Sequence, residues 1–312
     1  MACYHPLHGY LSEPDRAGKQ KLLIIGKARV ALRQWPQGVE IIQVPCGQCF
    51  GCRRDRQREW AMRCADEALC HDENCFITLT YDEDHIPYGG TLVKHHMQDF
   101  MKRLRKRYEG VRIRFFGCGE YGEKLSRPHY HICLFGFDFA DRVFLKMSGG
   151  NPLFTSEILE SVWTFGFSTV AALSFETAAY TAGYVLKKQS GGVVEDGYYV
   201  RVLDTGAVVE LEPEFCLMSR RPGIGADFME NYSSDVYPHD YCVVRGYESK
   251  PPRYYDKLYD IEDPEEFARV KERRAQVRVQ FEEDNTAARL RVREAVALSR
   301  FATYSKRSLE DG

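Results

Sequence analysis

The chain has 312 residues, enough for two domains or for one domain with a long extension. Its 44% hydrophobic and 28% charged residues exclude a wholly disordered polypeptide, and it has no run of about 18 apolar residues to span a membrane. The net charge of −2 taken alone argues against a nucleic-acid binder, but it divides into +4 over residues 1–188 and −6 over residues 189–312. Residues Met1 to Pro6 lack the basic and apolar regions of a signal peptide. A reducing cytoplasm is therefore expected, and the 11 cysteines read as thiols or metal ligands rather than disulfides.

In chain order, residues 1–45 hold short apolar pieces (Leu22–Ile25, Val39–Val44) that predict small strands. Cys46, Cys49 and Cys52 follow at the two-residue spacing of a tetrahedral zinc site, with Cys3 as a fourth ligand across the fold. His5 and His8 are alternatives to Cys3. An iron–sulfur cluster and a metal-free thiol cluster are the alternatives to zinc. Trp60, Ala61, Cys64, Ala65, Ala68 and Leu69 share one face of a predicted helix, whose first half carries Arg53, Arg54, Arg56, Arg58 and Arg63.

A strand is predicted over Cys75–Tyr81, then a polar loop over 82–90. An amphipathic helix over 94–109 has an apolar stripe of Met97, Phe100, Met101, Leu104 and Tyr108. Its end carries Lys102, Arg103, Arg105, Lys106 and Arg107, where cations suit the helix dipole, and Gly110 stops it. Strands over 111–118 and 129–137 form an antiparallel pair across a turn at 123–128. A helix near 156–165, a strand near 167–172 and a helix near 174–188 follow. Helices accompanying an antiparallel sheet indicate an α+β fold. Residues 189–260 read as turns with short strands, and 263–300 as one or two exposed, highly charged helices with no recognisable motif. The expected organisation is a cysteine-rich element over 1–52, a core over 53–188, a β- and turn-rich extension over 189–260 and a charged helical tail over 261–312.

The chemistry centres on Arg127-Pro-His129-Tyr130-His131. In a strand, residues i and i+2 share a face, so His129 and His131 can offer two imidazoles to one ion while Tyr130 points away. The bland alternative is two unrelated histidines on a solvated face. Glu120, at the end of the preceding strand, can add a carboxylate, with Glu123 as the rival third ligand. Two imidazoles and a carboxylate leave room for water and phosphate oxygen on Mg²⁺ or Mn²⁺. On the helix near 174–188, Tyr180 and Tyr184 are four residues apart, and Lys187 and Lys188 continue that face. Two phenols and an ammonium suit phosphoryl transfer. The alternative is an aromatic stripe packed on the sheet with lysines reaching outward.

The strand Phe76–Thr80, His-Tyr-His at 129–131 and Tyr-x-x-x-Tyr-x-x-Lys at 180–187 resemble, in order and spacing, the three motifs of the HUH endonucleases, the rolling-circle replication initiators. More closely, the chain resembles the replication initiation proteins of gokushovirus-type Microviridae, small single-stranded DNA bacteriophages. Pro45 to Arg53, Phe76 to Tyr81, Cys118 to Lys124, Arg127 to His131 and Tyr180 to Lys188 carry that resemblance, which spans about residues 1–260.

The resemblance implies a ferredoxin-like antiparallel sheet with both histidines on a central strand. It implies a divalent cation held by His129, His131 and Glu120, and a tyrosine that cuts one origin strand. The cut leaves a 5′-phosphotyrosine and a free 3′-OH for the host DNA polymerase. Two tyrosines can alternate so that the displaced strand is rejoined into a circle. The two basic helices, with Lys188, are expected to bind single-stranded origin DNA through its phosphates. No Walker A sequence is present, so unwinding is expected to depend on a host helicase, and the site of action is the host bacterial cytoplasm. The competing functions are an origin-binding protein that holds a metal without catalysis, and a metal-dependent hydrolase acting through water.

Overall fold

The computed structural model describes residues 3–16, 18–26, 30, 32, 35–122, 125–183 and 197–310, with side chains up to residue 303. The chain forms two compact units, one of Met1–Asp55 with Arg274–Gly312 and one of Arg56–Arg273. Among the described residues, no helix is long and apolar enough to cross a membrane.

The first unit contains an antiparallel sheet of β1 (Leu7–Leu11), β2 (Leu22–Ile25) and β3 (Ile42–Val44), in the order β2-β1-β3. Helix α1 (Phe50–Leu69) begins two residues before Cys52, so this cysteine lies in its first turn.

In the larger unit, β4 (Asn74–Thr80), α2 (Lys94–Arg107), β5 (Arg114–Tyr121) and β6 (Pro128–Phe135) follow the sequence expectation closely. Next come β7 (Val143–Ser148), β8 (Asn151–Thr155), α3 (Glu157–Val162), β9 (Ser168–Ala172) and α4 (Phe175–Gly183). After β10 (Val200–Val202) and β11 (Val208–Glu210), β12 (Phe215–Met218) joins the main sheet. That sheet is antiparallel, with seven strands in the order β12-β5-β6-β4-β9-β8-β7. The fold is α+β, with β6 near the sheet's centre.

Strand alternation decides which face each helix covers. Ile77, Leu79, Tyr130, Ile132 and Leu134 point to one face, against Met97, Phe100, Met101 and Leu104 of α2, Leu159 and Val162 of α3, and Trp163. Phe76, Phe116, Cys133, Phe135 and Ala171 point to the other, against Cys64 of α1 and Ala178 and Ala182 of α4. Each fully buried Leu or Phe contributes about 1.5–3 kcal/mol. Gly117 keeps the first face close-packed, since a Cβ there would lie 2.3 Å from Met97 Cε and 2.9 Å from the His131 carbonyl oxygen.

Three elements depart from expectation. The β7–β8 hairpin arises where no strands are predicted, because all of β7 is exposed and shows no buried alternation. Strand β12 extends the sheet beyond the expected pair. Helices α5 (Ala226–Val236) and α6 (Arg253–Glu262) occupy the stretch read as turns and strands. Their tyrosines make the sequence look β-prone, yet Tyr255 and Tyr259 pack with Met62, Met229 and Tyr237 in a separate core. The strands β13 (Cys242–Val244) and β14 (Tyr247–Ser249) form a hairpin between those helices. The charged tail is helical, as α7 (Pro264–Val279) and α8 (Ala287–Glu310).

Candidate active site

The β5–β6 hairpin builds the site. Its turn is closed by hydrogen bonds from Gly122 N–H to the Arg127 carbonyl (3.0 Å) and from Ser126 N–H to the Gly122 carbonyl (2.9 Å). The register sets Glu120 directly opposite His129 and Cys118 opposite His131. Glu120 Oε1 then lies 2.6 Å from His129 Nε2 and 3.1 Å from His131 Nε2. Glu120 is 2% exposed and His131 is buried. Tyr130 points to the opposite core, where its hydroxyl donates to the Val93 carbonyl.

Each imidazole is oriented from behind. His129 Nδ1 faces the Arg127 carbonyl at 3.1 Å, and His131 Nδ1 faces Thr78 Oγ1 at 3.0 Å. A carbonyl only accepts, so His129 Nδ1 carries the proton, and Nε2 of the neutral ring directs a lone pair at the carboxylate. Two such lone pairs and a carboxylate oxygen repel one another unless protons or a cation lie between them. The three donor atoms lie within 4.8 Å of one another, and their second contacts fix ring orientation as in metal-ligating histidines. This donor set fits a divalent cation. Burial pushes the Glu120 carboxyl up, but hydrogen bonds from the two imidazoles outweigh it and hold it below its ordinary value.

Helix α4 brings Tyr180 to this trio. Ala178 and Ala182 bury its inner face, and the Tyr180 ring stands edge-on to His131 with centroids 5.1 Å apart. Tyr180 is 49% exposed, so its phenol is open to a large substrate. Gln57 of α1 donates to the Ala179 carbonyl at 2.9 Å, one residue before this tyrosine. Tyr184, Lys187, Lys188 and the rival ligand Glu123 lie outside the described residues.

The basic residues separate. On α1, Arg53 donates to the Gln48 carbonyl, Arg54 lies over the Phe50 and Phe301 rings, and Arg58 donates to the Lys250 carbonyl. Arg54 and Arg56 are exposed. Arg63 is held between the Trp60 and Tyr254 rings. On α2, Arg103 donates to the Val162 carbonyl, Arg105 twice to the Ile113 carbonyl, and Arg107 to Ser161. Lys102 pairs with Asp99, and Lys106 is exposed. Because α2 packs on the opposite sheet face, the structure does not bring its cations to the histidines.

In the smaller unit, Cys3, Cys46, Cys49 and Cys52 converge, with Sγ atoms within 4.8 Å of one another. Cys46 and Cys52 Sγ are 3.9 Å apart, and Cys3 and Cys49 Sγ are 4.0 Å apart. Four sulfurs at about 2.3 Å from a zinc would stand about 3.8 Å apart, so the set fits a tetrahedral ion. Backbone N–H groups of Cys46, Cys49 and Tyr4 donate to Cys3, Cys46 and Cys49 sulfurs respectively. Burial raises the Cys49 thiol, yet N–H donors from Cys52 and Tyr4 bring it down to about 7. His5 bonds to Glu294 and His8 faces Gln43, so Cys3 is the fourth member of this group. A third constellation, Glu67, His71 and Asp227, has its carboxylates engaged by Arg114 and Arg112 and is an ion-pair network.

Thr78 and Gln57 escape the sequence reading. Thr78 could have been found by continuing the period-2 face of β4 across to the histidines. Gln57 has no signal among its arginine neighbours.

The comparisons place the chain among proteins of DNA replication. The family model for the replication-associated protein ORF2 matches residues 74–189, the segment that contains the Glu120, His129 and His131 trio and Tyr180. The chain is 33% identical over 249 residues to the replication-associated protein ORF2 of Spiroplasma virus 4, covering 75% of this chain and 73% of that one. It is 30% identical over 233 residues to the replication-associated protein VP4 of Bdellovibrio phage phiMH2K, covering 72% and 69%. It therefore belongs to the replication-associated protein family of Microviridae-type phages. No solved structure matches it.

Proposed function

We propose that the chain is a rolling-circle replication initiator of the HUH endonuclease type, with a ferredoxin-like core. It would nick one strand of the phage origin and later rejoin the displaced strand into a circle. The edge-on approach of Tyr180 to His131, within a trio suited to a divalent cation, carries this reading.

His129, His131 and Glu120 would hold Mg²⁺ or Mn²⁺, which when bound polarises a non-bridging phosphate oxygen. Tyr180 or Tyr184 loses its phenolic proton and attacks phosphorus. The Tyr O–P bond forms as the P–O3′ bond breaks, and the 3′ oxygen takes up a proton. Lys187 stabilises charge on the phosphate. Because one phosphodiester replaces another, the reverse attack by a 3′-OH rejoins DNA and frees the tyrosine without an added energy source. The exposed cations Arg54, Arg56, Lys102 and Lys106, with Lys188, supply sequence-independent phosphate contacts. Host helicase and polymerase complete the reaction in the host cytoplasm.

A denaturing gel of the full chain with labelled single-stranded origin DNA and Mn²⁺ tests this function. A cleaved strand plus a covalent protein–DNA band is expected. Cleavage without a covalent band would identify a water-using hydrolase, and binding with neither would identify an origin-binding protein.

The four-cysteine group supports a structural zinc. Anaerobically purified protein is expected to carry about one zinc per chain by elemental analysis, and the Cys46→Ser, Cys49→Ser double variant to lose it. Iron in place of zinc would mean a cluster, and neither metal would refute both.

A further inference from the structure

The cross-strand register puts more than the metal trio on the site face. Glu120 pairs with His129, and His129 with Thr80. Continuing the β4–β9 ladder past Leu79 and Ser168 sets Thr80 opposite Phe167, and the Thr80 N–H donates to the Phe167 carbonyl at 2.9 Å. Directly opposed residues share a face, so Glu120, His129, Thr80 and Phe167 form one row. The next row is Cys118, His131, Thr78 and Thr169. The third, Phe116, Cys133, Phe76 and Ala171, lies under α1 and α4. Two rows thus form an open floor that runs from the trio through threonine hydroxyls to an aromatic ring.

Phe167 is 69% exposed, although its neighbours Ser168 and Val170 are buried. Its backbone is held firmly. Thr80 Oγ1 also donates to the Phe167 carbonyl at 3.2 Å, and the Trp163 indole donates to the Thr80 carbonyl at 2.9 Å. Gly166 (φ 141°) passes so near β4 that a Cβ would stand 2.2 Å from the Asp82 nitrogen. A large apolar ring kept rigid in solvent, two strands from a phosphate-directed metal trio, suits a flat apolar ligand. Two strand spacings are about 10 Å, which puts the ring within reach of the nucleotide next to the scissile phosphate.

We propose that Phe167 is a stacking platform for the base of a nucleotide adjoining the scissile phosphate, with Thr80 and Thr169 facing its sugar–phosphate backbone. This rests on the nicking function proposed above. Stacking is tolerant of base identity, so Phe167 sets the position of the strand rather than its sequence.

The test is anisotropy with full-length protein, chelator present so that nothing is cut. The probe is the tightest-binding labelled oligonucleotide from a set tiling the phage strand. Phe167→Ala and Phe167→Leu are expected to weaken binding about tenfold to a hundredfold, and Phe167→Trp to retain it. Leucine keeps apolar bulk without a π face, so it separates stacking from folding. A single abasic substitution at one position should erase the difference between wild type and Phe167→Ala. Equal binding by wild type and both small variants would overturn the proposal. So would a deficit that persists at every abasic position, or leucine binding as well as tryptophan. The covalent-adduct gel is scored separately, so failure to nick with an intact abasic signature would refute the nicking function and not the platform.

Discussion

Replacing His131 with alanine is expected to slow strand cleavage by about a thousandfold or more at saturating DNA. The ring is one of two imidazoles whose Nε2 atoms converge on Glu120 Oε1, and its orientation is set by Thr78. Removing it takes away a ligand and the surface against which Tyr180 stands. Metal-based charge stabilisation is worth several kcal/mol, and each ~1.4 kcal/mol is a factor of ten in rate. Single-turnover cleavage against Mn²⁺ concentration measures the loss. Thr78→Val should produce a smaller loss, recovered in part at high Mn²⁺, because it removes only the orienting hydroxyl. Wild-type rates from His131→Ala at saturating Mn²⁺ would show that the trio is not the catalytic centre.

The second large effect concerns stability. Glu67 is fully buried on α1 and is paired with the buried Arg114 of β5. It also accepts from the Gly225 N–H at 2.6 Å, while Arg114 donates to the Pro222 and Gly223 carbonyls at 3.1 and 2.9 Å. One carboxylate therefore joins α1, the edge of the sheet and the segment leading into α5. Glu67→Ala leaves a buried guanidinium without its counter-ion and should cost about 3–5 kcal/mol. Urea unfolding of the variant measures this. The Glu67→Leu, Arg114→Met double variant should recover much of the loss, since it removes both charges. A Glu67→Ala protein within 1 kcal/mol of wild type, roughly the effect of an exposed pair, would contradict this account of the core.

The site was more legible than the fold around it. His129 and His131 share a face because a strand repeats every two residues, and a tight hairpin makes Glu120 their neighbour. Both facts are local. Ala178, Tyr180 and Ala182 follow from helical spacing in the same way. Cys3 was less secure, because a fourth ligand more than 40 residues from the other three is a matter of tertiary contact. Strand β12 and helices α5 and α6 were not legible, since their tyrosines, prolines and short lengths are compatible with several local states. The arginines misled most. Charge alone does not reveal that Arg105 reaches the Ile113 carbonyl or that Arg63 lies between two rings. Phe167 was invisible for a related reason, because only the register shows it on the histidine row.

Locating the protein–DNA bond tests the central claim most directly. The covalent product formed with single-stranded origin DNA, digested with nuclease and protease, is to be mapped by mass spectrometry. The predicted result is a nucleotide attached through phosphate to Tyr180 or Tyr184, with no adduct from the Tyr180→Phe, Tyr184→Phe double variant. A nucleotide on any other residue, or an adduct that survives the double substitution, would contradict it.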